Sequence, residues 1–111
     1  KELQTLAKNS ANELNIDLKE GIYLATTGPS YETKAEVKAF KLLGADVIGM
    51  SSVPEAIVSN YLKMNTVAFS SVTNYATGVS EEKLSHQEVI ETGKITSQKL
   101  SKLIKLMISR I

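Results

Sequence analysis

The 111-residue chain contains no cysteine. Disulfides and thiolate metal sites are therefore excluded, and a reducing, cytoplasmic setting is expected. Histidine is almost as scarce, with His86 the single one. One imidazole without thiolates speaks against a metal centre, and no Ser–Asp or Cys partner stands near it in sequence for triad chemistry. No metal is expected. An excess of one charge is also lacking. Thirteen Lys and Arg face 12 Asp and Glu, for a net charge of +1. Nucleic-acid binding needs a basic stripe, so none is expected. No apolar run approaches the ~20 residues that span a bilayer, and no signal peptide is visible, so no membrane partner is expected either. Repeats, low-complexity tracts and linkers are absent as well, and the length suits a single domain over residues 1–111.

What is present is an ordinary foldable composition, 42% hydrophobic and 23% charged, which argues against disorder. The first segment, "KELQTLAKNSANEL", places Leu3, Leu6, Ala7, Ala11 and Leu14 on one helical face over residues 1–14. The pattern is already in stride at Lys1, as expected of a piece of a longer protein. A strand is expected at 21–27, "GIYLATT", before the Gly28-Pro29 breaker. Thr33 and Glu36 have capping-box spacing and open a helix over 33–43 that Gly44 closes. A short buried strand, "DVIGM", covers 46–50. A helix over 53–63 carries Pro54 in its first turn, where a missing N–H does no harm. A third strand is expected at 66–72, "TVAFSSV", followed by a polar loop over 73–84 whose Glu81 and Glu82 are expected to be solvated. The last helix starts near 86 with the capping-box pair Ser85 and Glu88. Its apolar stripe is Leu100, Leu103, Ile104, Met107, Ile108 and Ile111.

Strict alternation of helix and strand predicts an α/β fold with a mostly parallel sheet and flanking helices. Three strands leave open edges, which again points to further chain. Ligands of such sheets bind beyond the carboxyl ends of the strands. The three junctions there are "GPSYE", "GMSSVPE" and "TNYATG". Glu32 could simply be a helix-terminus acid favoured by the dipole. The alternative is that, beside Tyr31, it accepts a hydrogen bond from a heterocycle's ring N–H while the tyrosine packs on the ring. Ser51 and Ser52 precede a helix N-terminus, which suits an anion, though an idle N-cap serine is common. Met50 would ordinarily fill core space. Asn74 is either a turn residue or an amide able to donate and accept at one site. His86, in a first helical turn, would ordinarily be a surface or packing residue.

Together, "GPSYET", "LGADVIGMSSVPEAIV", "TNYATG" and "SHQEV" resemble, in order and spacing, the C-terminal part of the trimeric purine nucleoside phosphorylases of the inosine–guanosine type. The resemblance runs along essentially the whole chain. It implies the phosphorylase-type three-layer α/β fold, a homotrimeric parent, and phosphorolysis of inosine and guanosine to free purine and ribose 1-phosphate. Phosphate would be a co-substrate and no cofactor would be needed. By motif match, Glu32 would accept from purine N1–H and Tyr31 would pack against the ring. Asn74 would bond N7 and the 6-oxo group as charge develops on the purine. Tyr23 and His86 would contact the ribose, Met50 would lie beneath it, and Ser51 would bind phosphate. Ile48 and Val89 would be apolar walls. The sequence departs from the pattern at Tyr75, where some members carry Lys, and at Tyr31, where Phe is frequent. The glycine-rich loop, Arg and His that hold most of the phosphate in the family have no counterpart here. The isolated chain is therefore expected to be a poor catalyst. Two alternatives remain: a relative acting on 5′-methylthioadenosine, against which the Glu32–Asn74 pair speaks, and a non-catalytic base-binding or assembly module.

Overall fold

The computed structural model describes residues 1–80 and 86–111, and the backbone alone for 86–89. The described elements are α1 (Glu2–Glu13), β1 (Tyr23–Ala25), α2 (Lys34–Leu42), β2 (Val47–Gly49), α3 (Val53–Tyr61) and α4 (His86–Ile108). All four helices lie within two residues of their expected positions. The two strands are shorter than expected. β1 and β2 pair in parallel across the α2 crossover, with Tyr23 opposite Val47, Leu24 opposite Ile48 and Ala25 opposite Gly49.

The expected third strand is corrected by the structure. Among the described residues the sheet has two strands, and 66–72 lies outside it. Its burial still alternates as in a strand. Val67 and Phe69 are half-buried and pack against the core, while Thr66, Ala68 and Ser70 are exposed. Alternation follows from an extended backbone on an apolar surface, whereas a strand also needs a neighbour to complete its hydrogen-bond ladder.

The core lies between α1 and α4. Ala7 and Ala11 meet Leu103 and Met107, ringed by the half-buried Leu6, Leu14, Ile16, Leu18, Val67 and Phe69. Ser10 is fully buried on the same face of α1, and its small side chain, like the two alanines, lets the helices approach closely. Only part of the expected α4 stripe is covered. Leu103 and Met107 are buried and Leu100 half-buried, but Ile104, Ile108 and Ile111 are exposed. α1 covers one edge of the stripe, and nothing among the described residues buries the other. Arg110 donates to a Glu13 carboxylate oxygen at 2.6 Å, which ties the C-terminal ends of both helices together.

Helix ends follow local chemistry. α1, α2 and α3 are each closed by a residue with positive φ, namely Asn15, Gly44 and Lys63. In each case the next N–H reaches back to the carbonyl five residues earlier: Ile16 to Ala11, Ala45 to Phe40 and Met64 to Ser59. The α2 start carries the expected capping box. The Glu36 N–H donates to Thr33 Oγ1 at 3.3 Å, and Glu36 Oε2 accepts the Thr33 N–H at 2.7 Å. The backbone N–H of Thr33, and then its hydroxyl, hold the Glu36 carboxyl below the usual glutamate range. A depressed folded-state value stabilises the fold above the ordinary glutamate range, and that contribution is lost as pH falls through the folded value. Thr33→Ala is expected to cost about 1 kcal/mol at neutral pH. The Tm gap to the unsubstituted chain should narrow without closing as the pH falls through the folded value of Glu36, because only the hydroxyl's bond to the carboxylate is both lost in the variant and dependent on ionisation, whereas the cap on the Glu36 N–H does not titrate. A gap independent of pH in thermal melts would contradict this coupling.

Candidate functional site

The carboxyl ends of β1 and β2 emerge side by side, and the candidate site is built there. Tyr23 opens β1, and its ring runs along the neighbouring strand. A Cβ on Gly49 would overlap the Tyr23 hydroxyl and lie 2.9 Å from its Cζ. The hydroxyl accepts the Ser51 N–H at 3.3 Å. Because Gly49 presents no side chain, a residue from the start of β1 reaches the residue two places beyond the end of β2. Met50 follows Gly49 and turns toward the loop after β1. Its sulfur would sit 2.6 Å from a Cβ on Gly28, whose φ of +61° already favours glycine. Met50 is 44% exposed, so it lines the surface of the site and is not core filling. Ile48 lies half-buried in β2 opposite Leu24. Tyr23, Met50 and Ser51 are thus brought together, with Ile48 in β2, the strand that leads into Met50 and Ser51.

Ser51 and Ser52 lead into α3. Ser52 is the N-cap residue, yet its side chain makes no capping bond and its φ is +70°. Its hydroxyl lies 3.4 Å from that of Ser51. Two hydroxyls and a helix N-terminus without a side-chain cap therefore lie at the end of β2. The left-handed conformation of a non-glycine residue is a strained one.

Glu32 is half-buried between two exposed neighbours, Tyr31 and Thr33. Its Oε1 accepts the Thr26 hydroxyl at 2.7 Å. Thr26 follows β1 directly, and its N–H donates to the Gly49 carbonyl at 2.9 Å, one step beyond the strand pairing. Glu32 is thereby tied to the ladder that positions Tyr23 and Ser51. Its Oε2 has no hydrogen-bond partner among the described residues. Tyr31 beside it is 63% exposed and presents its ring to solvent.

The third junction arrives by loop packing. Ala76–Val79 forms a turn closed by the Val79 N–H on the Ala76 carbonyl at 3.0 Å. Gly78, at φ +81°, lies against Lys34, where a Cβ would meet the lysine Cγ at 2.9 Å. Lys34 is the first residue of α2, two after Glu32, so the turn is held beside the acid. Asn74 is exposed. Its Oδ1 accepts the Thr73 hydroxyl at 2.7 Å, and its Nδ2 donates to the Tyr75 carbonyl at 3.0 Å. No hydrogen bond joins it to Glu32 or Ser51 among the described residues. One Nδ2 hydrogen remains available to a ligand. The side chains of His86 and Val89, and the Ser85–Glu88 capping pair, lie outside the described residues, as do Glu81 and Glu82.

Two residues of this arrangement are not singled out by sequence. Gly49 sits inside a strand pattern, and a strand glycine signals a close approach without naming the neighbour. Thr26 looks like ordinary strand-end filling. The signal it offers is a hydroxyl at the carboxyl end of a parallel strand.

The family model of the phosphorylase superfamily matches residues 1–109. Purine nucleoside phosphorylase 1 of Bacillus subtilis is 42% identical over 110 residues, which make up 99% of this chain and 41% of that protein. Among solved structures, Schistosoma mansoni purine nucleoside phosphorylase in complex with inosine is similar at a TM-score of 0.91 and 30% identity. The same protein in complex with adenosine gives 0.91 and 31%. Both alignments cover 100% of this chain and 41% of the other. The chain thus spans about two-fifths of the length of these relatives.

Proposed function

The chain belongs to the phosphorylase superfamily, and on that premise we propose that it carries the base- and ribose-facing part of a purine nucleoside phosphorylase acting on 6-oxopurine nucleosides. In that reaction phosphate bonds to the anomeric carbon of the sugar. The glycosidic bond breaks, its electron pair goes to the purine, and ribose 1-phosphate leaves. The protein must stabilise negative charge growing on the base and hold phosphate on the opposite face.

One observation carries the reading. Glu32 is a half-buried carboxylate with one oxygen held by Thr26 and the other without a hydrogen-bond partner among the described residues. It lies at the strand ends where this fold class binds ligands. An acceptor there suits the N1–H of hypoxanthine or guanine. Adenine N1 is itself an acceptor and would face the carboxylate lone pair to lone pair. The Asn74 amide would bond N7 and the 6-oxo group, and Tyr31 would pack on the base. Tyr23 and Met50 would meet the ribose, with His86 near its 5′-hydroxyl, and Ile48 and Val89 would form apolar walls. Ser51 would contribute to holding phosphate. The parent would work as a cytoplasmic homotrimer without a cofactor. The Schistosoma relative is solved with adenosine as well as inosine, so selectivity is part of the test.

In calorimetric titrations, the chain should bind hypoxanthine in preference to adenine, with weak or absent inosine phosphorolysis. Glu32→Gln is expected to weaken hypoxanthine binding roughly tenfold, as loss of a charge-assisted hydrogen bond does. Adenine binding should be unchanged or improved. Equal loss for both bases, or none, would refute the assignment of Glu32. Robust phosphate-dependent hypoxanthine release by the pure chain would refute the expectation of poor catalysis.

A further inference from the structure

We propose that Thr26 is the positioning residue that sets base selectivity at this site, by holding one oxygen of the Glu32 carboxylate and turning the other toward the ligand. The inference rests on the reading of Glu32 as the base acceptor.

Glu32 follows a turn in which Thr27, Pro29, Ser30 and Tyr31 are all exposed. Packing alone would leave such a side chain several rotamers. Two anchors remove that freedom. On the carboxyl side, Thr33 is fixed as the N-cap of α2 by reciprocal bonds with Glu36, which sets the backbone direction. On the carboxylate itself, the Thr26 hydroxyl donates to Oε1 at 2.7 Å. Thr26 is a suitable anchor because its own backbone is held to Gly49 at 2.9 Å, and a β-branched side chain is stiff at χ1. The hydroxyl thus transmits the position of the sheet to a loop carboxylate across six residues.

The chemical consequence is directional. Oε1 already has a donor, so an incoming N–H is steered to Oε2. A carboxylate free to rotate would order itself only on binding, at an entropic cost that a preorganised one avoids. It could also swing away from a base whose edge presents a lone pair. The held carboxylate therefore does two things: it strengthens binding of bases with a ring N–H, and it penalises bases with an acceptor at the same position.

Four variants test this by hypoxanthine and adenine titration of the chain: Thr26→Val, Thr26→Ser, Glu32→Gln and the double Thr26→Val/Glu32→Gln. Thr26→Val keeps the branched shape and removes the hydroxyl. It should weaken hypoxanthine binding about fivefold, the cost of ordering one freed side chain on binding, and narrow the preference over adenine. Thr26→Ser should recover most of that loss. In the Glu32→Gln background, Thr26→Val should have no further effect, because Thr26 acts through the carboxylate. Two results would overturn the inference while leaving the base reading intact: Thr26→Val binding like the unsubstituted chain while Glu32→Gln is weak, or a Thr26→Val loss of equal size in both backgrounds. Unaltered binding in Glu32→Gln, or no hypoxanthine binding by the unsubstituted chain, would overturn the base reading and the inference with it.

Discussion

Leu103→Ala is expected to lower the unfolding free energy by about 3 kcal/mol, the usual range for truncating a buried leucine whose surroundings cannot fully collapse. On a chain of this size that is about 15 °C in Tm. Among the described residues Leu103 is the only large hydrophobic side chain that is essentially fully buried, at 1% exposed. It packs against the face of α1 formed by Ala7 and Ala11, in the same cluster as Met107. Domains are stable by only about 5–15 kcal/mol, so one such cavity removes a large share of the total. Its neighbours on the same helix supply the contrast. Ile108, at 66% exposed, has little burial to lose, and Ile108→Ala should stay within about 0.5 kcal/mol. Equal losses at Leu103 and Ile108 in thermal melts would mean that α4 buries the wide stripe its periodicity suggests, and not the narrow edge facing α1.

That contrast marks the limit of reading this fold from sequence. Periodicity states which residues share a face, and Leu103, Ile104, Met107 and Ile108 do. It does not state how wide a neighbour covers the face. Signals whose physics is complete within a few residues were legible. The Thr33–Glu36 capping box and the Gly44 stop are both local, and both stand in the structure. Lys63 closes α3 in the same left-handed conformation as Gly44 closes α2, but a lysine gives no such signal, because the conformation is imposed by the chain that follows. The segment 66–72 shows the same division. Its inward Val67 and Phe69 follow from alternation, whereas pairing depends on a neighbouring strand that no single segment encodes. In the candidate site, Glu32 and Tyr31 could be singled out because an acid and a ring at a helix mouth exceed what a turn requires. The Thr26 hydroxyl that holds Glu32 could not, because the two meet only once the Gly28-Pro29 turn has folded back.

Gly49→Ala is expected to destabilise the chain by about 2 kcal/mol, the usual range for overpacking a filled space, and to detach Tyr23 from Ser51. The backbone of Gly49 tolerates a side chain, since its φ is not positive. The obstacle is spatial. An added Cβ would overlap the Tyr23 hydroxyl and crowd two ring carbons, Cζ at 2.9 Å and Cε2 at 3.2 Å. A rotation of the hydroxyl hydrogen cannot relieve this, so the whole ring must swing off the strand. Its hydroxyl then no longer accepts the Ser51 N–H, now at 3.3 Å, and that amide opens to solvent exchange. Tyr23→Phe separates the two contributions. In the glycine background it should expose the Ser51 amide at little cost in stability. Combined with Gly49→Ala it should recover only part of the loss, because the ring carbons remain in the way. Thermal melts and amide exchange at Ser51 read both quantities. Unchanged stability and unchanged Ser51 protection in Gly49→Ala would mean that the Tyr23 ring does not lie across Gly49. Full recovery by Tyr23→Phe would place the whole clash at the hydroxyl. Between those outcomes, partial recovery with an exposed Ser51 amide is what a ring running from one strand to the end of the other requires.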